Sequence, residues 1–216
     1  MDNLIMVTAD KRIPTKQKIV ANAVELFATN GYTETSVRDI ATAVGINASS
    51  LYNHFRSKEE ILEFLLNAFN AYTENMYNNP DIYTILQNNP TVEGVLSCFE
   101  VSLSVYSGDP HFRTLQVIFQ EHHRNALIRE YVAKIFLDSE EYIVKIINVL
   151  KELKIITPEV DPDFWKKIAS SLLYAYPNRT MIGIGKSNPG YTGMDLKALL
   201  SYMFSLIFSL YSVSES

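Results

Sequence analysis

The stretch TSVRDIATAVGINASSLYNHFRSKEEIL, residues 35–62, decides the fold. Ser36 and Asp39 have the S-x-x-D spacing of a capping box, in which each satisfies a backbone N–H of the other. The spacing therefore predicts a short helix from about Val37 to Val44, with Ile40, Ala41 and Val44 turned inward. Gly45 ends it, because glycine takes a positive φ at a helix C-terminus without a Cβ clash. Asn47 is a good N-cap for a further helix, Ala48 to about Phe55, whose Leu51 and Phe55 share a face at i, i+4. A short helix, a tight turn at Gly45-Ile46-Asn47 and a second short helix form a helix-turn-helix. Ile40, Val44, Ile46 and Leu51 fill its small core, and the small Ala41 lets the second helix cross closely. Helices this short do not hold themselves together, so a neighbour must supply apolar surface.

The preceding segment supplies it. KQKIVANAVELFAT, residues 16–29, places Ile19, Val20, Ala23, Val24 and Phe27 on one helical face. Thr15, after Pro14, stands at the N-cap place, and Asn30-Gly31 ends the helix. On the other side, Ser57 with Glu60 opens a fourth helix lined by Ile61, Leu62, Leu65, Phe69, Tyr72 and Met76, as far as Asn78-Asn79-Pro80. Further helices are expected over about 91–106, 111–122, 125–153, 163–176 and 194–211, with continuation past Pro177 left open. The last is apolar nearly all round and must be buried on more than one face. No β alternation and no repeat is visible, so the fold class is all-α.

Composition agrees. The 216 residues contain only 8 Gly and 8 Pro, below the usual share of roughly 12%, which favours long helices over turn-rich β folds. A hydrophobic share of 47% excludes global disorder, and the single Cys98 excludes an intrachain disulfide framework. No apolar run reaches the roughly 18 residues of a membrane span, and the N-terminus has no signal-like run, so a soluble, cytoplasmic protein without membrane contact is expected. The net charge of −5 is uneven. Residues 11–58 hold Lys11, Arg12, Lys16, Lys18, Arg38, Arg56 and Lys58 against Glu25, Glu34 and Asp39, while the rest is acidic. A basic N-terminal piece on an acidic body points to one end meeting a polyanion.

The run at 35–62, above all LYNHFRSKEE, resembles the signature of the TetR-type (tetracycline-repressor-like) bacterial transcription regulators, and VANAVELFATNGY, residues 20–32, is similar to that family's first helix. The resemblance covers about the first third of the chain. It implies an N-terminal three-helix helix-turn-helix unit, residues 1–57, joined to a larger helical ligand-binding and dimerisation domain, residues 58–216. It further implies a homodimer that binds a palindromic double-stranded DNA operator and releases it when a small molecule enters the second domain. The dimer is expected through the last two long helices, roughly 163–182 and 194–211. The abundance of Tyr and Phe favours an apolar or aromatic effector.

Residue roles follow from the resemblance, position by position. Ser36, Val37 and Arg38 fall at the start of the phosphate-contacting helix, although the family often has Thr where this chain has Val37. Ala48, Ser49 and Ser50 fall where base edges are read. Tyr52, His54 and Lys58 fall at backbone contacts, Asn53 between them is counted among the DNA-binding residues, and Lys11, Arg12, Lys16 and Lys18 flank the DNA as an arm and first turn. With no Arg, Gln or Asn at 48–50, direct readout is modest and duplex shape matters more. Candidate ligand-lining residues are Phe69, Tyr72, Phe99, Phe119, His122, Tyr142 and Tyr174. By default most of these aromatics are core.

Other motifs carry little. Glu121-His122-His123 lacks a second ligand pair at i, i+3 or i, i+4, so no metal is expected. Gly183-Ile184-Gly185-Lys186-Ser187 is not a P-loop, since the first glycine place is Thr180 and no strand precedes it. No catalytic pair stands out and no cofactor is expected, so an enzyme is disfavoured. The alternative is an all-α small-molecule-binding or protein-interaction module whose N-terminal unit does not bind DNA.

Overall fold

The computed structural model describes residues 14–78, 81–100, 111–181 and 196–213. Lys11 and Arg12, the segment 183–187 and most of the stretch 99–106 lie outside them. Among the described residues the architecture is all-α: α1 Thr15–Asn30, α2 Val37–Val44, α3 Ala48–Tyr52, α4 Lys58–Asn78, α5 Ile82–Asn88, α6 Val92–Cys98, α7 His111–Glu121, α8 Ala126–Glu152, α9 Pro162–Met181 and α10 Leu196–Tyr211. One isolated bridge pairs Ile156 with Ser212.

The described residues fall into two compact units, one of 14–73 with 111–132, the other of 74–78, 81–100, 133–181 and 196–213. In the first, α1 packs on α2 and α7, and α2 on α3. Its core holds Ile19, Val20, Ala23, Val24, Phe27, Ile40, Ala41, Leu51, Phe55, Ile61, Leu62 and Leu65, all buried. This is the inward set read from the sequence, except that Val44 and Ile46 are half-buried. In the second, Ile82, Leu86, Val95, Tyr142, Ile146, Trp165, Leu200 and Phe204 belong to one continuous core. The compact units are divided differently from the functional boundary expected at 57/58. The first turns of α4 bury Ile61, Leu62 and Leu65, and α7 packs on α1, so both belong with the helix-turn-helix.

Local signals held where a side chain caps a helix. Ser36 and Asp39 form the reciprocal capping box of α2. Gly45 closes that helix in the left-handed region, φ 78°, and Asn47 caps α3 by accepting the Ser50 N–H at 2.7 Å. Glu60 N–H donates to Ser57 Oγ at 3.2 Å, but the Glu60 carboxylate reaches back one residue further, to the Arg56 N–H.

Other boundaries differ. Thr15 is not the cap of α1: the helix begins at Thr15, and the Pro14 carbonyl accepts the Gln17 and Lys18 N–H groups. α3 stops at Tyr52 rather than Phe55, where the His54 N–H bonds the Leu51 carbonyl three residues back and tightens the turn. Phe55 still reaches the core. The helix expected from Thr91 is α6, which ends at Cys98 where the Phe99 N–H bonds the carbonyls of Leu96 and Ser97. α5 was not expected at all. Asp81 caps it through the Thr84 N–H, and Ile82 and Leu86 bury its inner side. α9 continues through Pro177 to Met181, at the cost of a ladder hydrogen bond.

α10 buries Leu196, Leu200, Met203, Phe204 and Ile207. Tyr202, Leu206 and Leu210, one turn apart, stay exposed at 67%, 41% and 65%. On α9, Phe164 and Ile168 are exposed as well. No helix among the described residues is long and apolar enough to cross a membrane.

Candidate nucleic-acid interface

The helix-turn-helix leaves a set of polar side chains in solvent. Arg38, Ser49, Tyr52, Asn53 and His54 are exposed, and Val37, Ala48 and Ser50 are half-buried. Tyr52 is 52% exposed, whereas Leu51 beside it is fully buried, so α3 has one side for the core and one for solvent. The box holds the start of α2 rigid. Asp39 Oδ2 accepts the Ser36 N–H at 2.8 Å and the Ser36 hydroxyl at 2.6 Å, and Ser36 Oγ accepts the Asp39 N–H at 3.2 Å. The Ser36 hydroxyl and N–H hold the Asp39 carboxyl below its ordinary value. The first turn of a helix offers unpaired N–H groups and a positive dipole end, which suits a phosphate.

Two of the expected cations are engaged within the protein. The Lys16 ammonium lies 4.5 Å from the Phe64 ring centre and 5.0 Å from that of Phe55. The Lys58 ammonium donates to the carbonyls of Tyr32 at 2.7 Å, Thr35 at 2.8 Å and Thr33 at 3.3 Å. It also sits 4.4 Å from the Tyr32 ring centre. Lys58 was expected on a phosphate. In the structure it ties α4 to the loop before α2, because that loop turns three carbonyls toward it.

Tyr32 is a hub that the sequence reading treated only as the end of a motif. Its ring packs edge-on against Phe27 at 5.1 Å, and its hydroxyl donates to Glu59 at 3.2 Å. Burial, followed by the Glu59 carboxylate, pushes its phenol above the ordinary value. Its N–H donates to Glu121 Oε1 at 3.1 Å, and Glu121 is 5% exposed. Arg113 adds an exposed ion pair to Glu25 at 3.2 Å.

The candidate ligand residues do not gather in one place. Phe69, Tyr72, Phe119 and His122 lie in the first unit; Phe99, Tyr142 and Tyr174 lie in the second. Tyr72 stacks on His111 at 3.8 Å, with Phe69 at 6.1 Å from the same ring. The His122 Nδ1 is 2.8 Å from the Phe119 carbonyl oxygen. Phe99 meets Tyr142 edge-on at 5.3 Å in the second core, and the Tyr142 hydroxyl donates to the Cys98 carbonyl at 2.7 Å. Tyr174 is exposed beside Phe136. Thr114, which the sequence did not single out, is fully buried, and its hydroxyl has no hydrogen-bond partner among the described residues. A groove of about 430 Å³ in the second unit is lined by Glu74, Lys134, Asp138, Tyr142 and Lys145 among others, and is mainly charged.

The family profile of bacterial regulatory proteins, tetR family, matches residues 19–65, which span the segment from α1 into α4. Residues 19–65 are a TetR-family domain. Within that TetR-family segment the chain is similar to the biofilm operon icaADBC HTH-type negative transcriptional regulator IcaR of Staphylococcus epidermidis, 40% identical over 67 residues. The match takes in 31% of this chain and 36% of that protein, so the chain spans about a third of the length of this relative. Beyond the TetR-family domain, likeness is in fold. A TetR-family transcriptional regulator from Marinobacter aquaeolei superposes with a TM-score of 0.65 at 18% identity, covering 93% of this chain and 92% of that one. The ketosteroid transcriptional regulator KstR2 of Mycobacterium tuberculosis superposes with a TM-score of 0.61 at 18% identity, covering 98% and 100%.

Proposed function

We propose that this chain is a ligand-responsive transcriptional repressor, not an enzyme, which binds a palindromic DNA operator as a homodimer and leaves it when a small apolar or aromatic effector binds. The observation that carries this reading is the helix-turn-helix of a TetR-family domain, in which Arg38 of α2, Ser49 and Tyr52 of α3, and Asn53 and His54 just after it are exposed while Leu51 is buried. The IcaR relative is named as a negative transcriptional regulator, which supports repression. On this reading residues 1–57 meet DNA, and residues 58–216 bind the effector and the second copy. The protein acts where the chromosome is, in the cytoplasm.

In this account α3 enters the major groove. Ala48, Ser49 and Ser50 meet base edges, Ser36, Val37, Arg38, Tyr52, Asn53 and His54 meet the backbone, and Lys11, Arg12 and Lys16 follow the flanking phosphates. Lys16 leaves the faces of Phe55 and Phe64 to do so. The exposed Tyr202, Leu206 and Leu210 of α10, with Phe164 and Ile168 of α9, supply the apolar surface for pairing with a two-fold copy. The buried Thr114 hydroxyl, unpaired among the described residues, and the aromatic stack of Phe69, Tyr72 and His111 support an effector site in the first unit, and the groove at Glu74, Lys134 and Asp138 in the second is lined mainly by charge.

Selection of duplexes from a random-sequence library by the purified protein tests the reading. A two-fold symmetric sequence is expected to be enriched. Tyr52→Ala weakens binding to every sequence, whereas Ser49→Ala changes the order of preference. Enrichment of no duplex at all would refute the proposal.

A further inference from the structure

The loop between α1 and α2 is gripped on both sides of one residue. Tyr32 N–H donates to Glu121 Oε1 of α7 at 3.1 Å, and the Tyr32 carbonyl accepts from the Lys58 ammonium of α4 at 2.7 Å. Lys58 also holds the carbonyl of Thr35 at 2.8 Å, immediately before the Ser36 cap. Thr35 is itself buried and donates its hydroxyl to the Gly31 carbonyl at 2.8 Å. Gly31 stands at φ 91°, a conformation that disfavours a side chain, and a Cβ there would lie 3.5 Å from Glu121 Oε1.

The carboxylate is oddly placed for a merely stabilising role. Glu121 is the last residue of α7, and it meets the chain just past the end of α1, so both helix ends oppose its negative charge. It is 5% exposed and makes no ion pair among the described residues. What it does make is the bond to Tyr32 N–H, a buried donor in the loop just past the end of α1. On the opposite side, three carbonyls occupy the three donors of the Lys58 ammonium, which leaves none for a phosphate.

We propose that Glu121 and Lys58 are positioning residues for DNA binding: an anion from α7 and a cation from α4 clamp the loop 31–36 and so set where α2 presents Ser36 and Arg38. The proposal rests on the DNA-binding reading above. It assigns Lys58 an action through the loop in place of a direct phosphate bond. It also gives α7 a rigid connection to the DNA-contacting face through a single residue.

The test uses the full chain and a duplex enriched from a random library by the unmodified protein, with dissociation constants measured across a salt series. Glu121→Ala and Lys58→Gln are each expected to weaken binding about tenfold, the scale of one charge-assisted hydrogen bond. The log–log salt slope stays that of the unmodified protein, because no phosphate contact is lost. Arg38→Ala, run in parallel, lowers that slope by about 0.9 per protomer. Glu121→Gln keeps an oxygen for Tyr32 N–H and restores binding. In the double variant the loss is smaller than the two single losses multiplied, since both act on one loop. A Lys58→Gln slope that falls as Arg38→Ala falls, or Glu121→Ala binding like the unmodified protein, overturns the proposal. If Glu121→Ala does not fold, as judged by circular dichroism, the Lys58→Gln slope decides alone. If the unmodified protein enriches no duplex, the DNA-binding reading falls and this proposal with it. Loss confined to Arg38→Ala, with both clamp variants unaffected, refutes the clamp alone.

Discussion

Asp39 and Ser36 satisfy each other across the first turn of α2, with the serine hydroxyl 2.6 Å from Asp39 Oδ2 and the serine N–H 2.8 Å from the same oxygen. The Asp39 N–H returns to Ser36 Oγ at 3.2 Å. The helix that presents Arg38 is therefore held at its start by a closed set of hydrogen bonds.

This box has a pH signature. The Ser36 hydroxyl and N–H hold the Asp39 carboxyl below its ordinary value. A carboxyl depressed in the folded state contributes stability above its unfolded pKa of about 3.9, and that contribution is lost as pH falls through the lower folded value. Ser36→Ala is expected to destabilise the protein by about 1 kcal/mol at neutral pH. The difference from the unmodified protein shrinks as the pH falls below about 4. Urea denaturation at neutral and acid pH measures both.

Gly45 offers a cleaner test of backbone strain. Its φ is 78°, and a Cβ placed there meets nothing within 4 Å. The cost of a side chain is thus conformational and not steric. Gly45→Ala is expected to destabilise by about 1 kcal/mol. Gly45→Asn costs less, and a β-branched Gly45→Val costs more. Equal stability of the Ala and Asn variants in thermal melting would contradict this account of the turn.

The apolar stripe of α10 predicts the oligomeric state. Tyr202, Leu206 and Leu210 are exposed at i, i+4 and i+8, while Leu200, Phe204 and Ile207 on the same helix are buried. Leu206→Asp leaves the buried side untouched and places a charge at the middle of the exposed one. Sedimentation equilibrium is expected to show a dimer for the unmodified protein and a monomer for this variant, with unchanged helicity. An intact dimer would move the interface elsewhere.

Much of the first unit was legible because its signals are local. Ser36, Asp39, Gly45 and Asn47 each act on a backbone group within three or four residues, and a one-dimensional pattern records such distances. The inward positions Ile19, Val20, Phe27, Ile40 and Leu51 were legible for the same reason, through helical spacing. What escaped was set by partners far along the chain. The bond of Glu121 needs Tyr32, 89 positions away, and those of Lys58 need carbonyls 23 to 26 positions away. No spacing rule reports which carbonyls a loop turns toward a lysine, so the sequence offered for Lys58 only the backbone contact that the resemblance implies. α5 escaped because Asp81 and Thr84 open only two turns, too short for periodicity to stand out. The candidate ligand-lining aromatics were chosen by type, and type does not separate Phe99 in the second core from Phe69 in the first.

Hydroxyl-radical footprinting on an enriched duplex measures the central claim most directly. The account predicts two protected segments on one face of the duplex, related by a two-fold axis and centred a whole number of helical turns apart, about 10 base pairs or a multiple. Protection at a single unpaired segment, or segments at a spacing that places the two α3 helices on opposite faces, would contradict it.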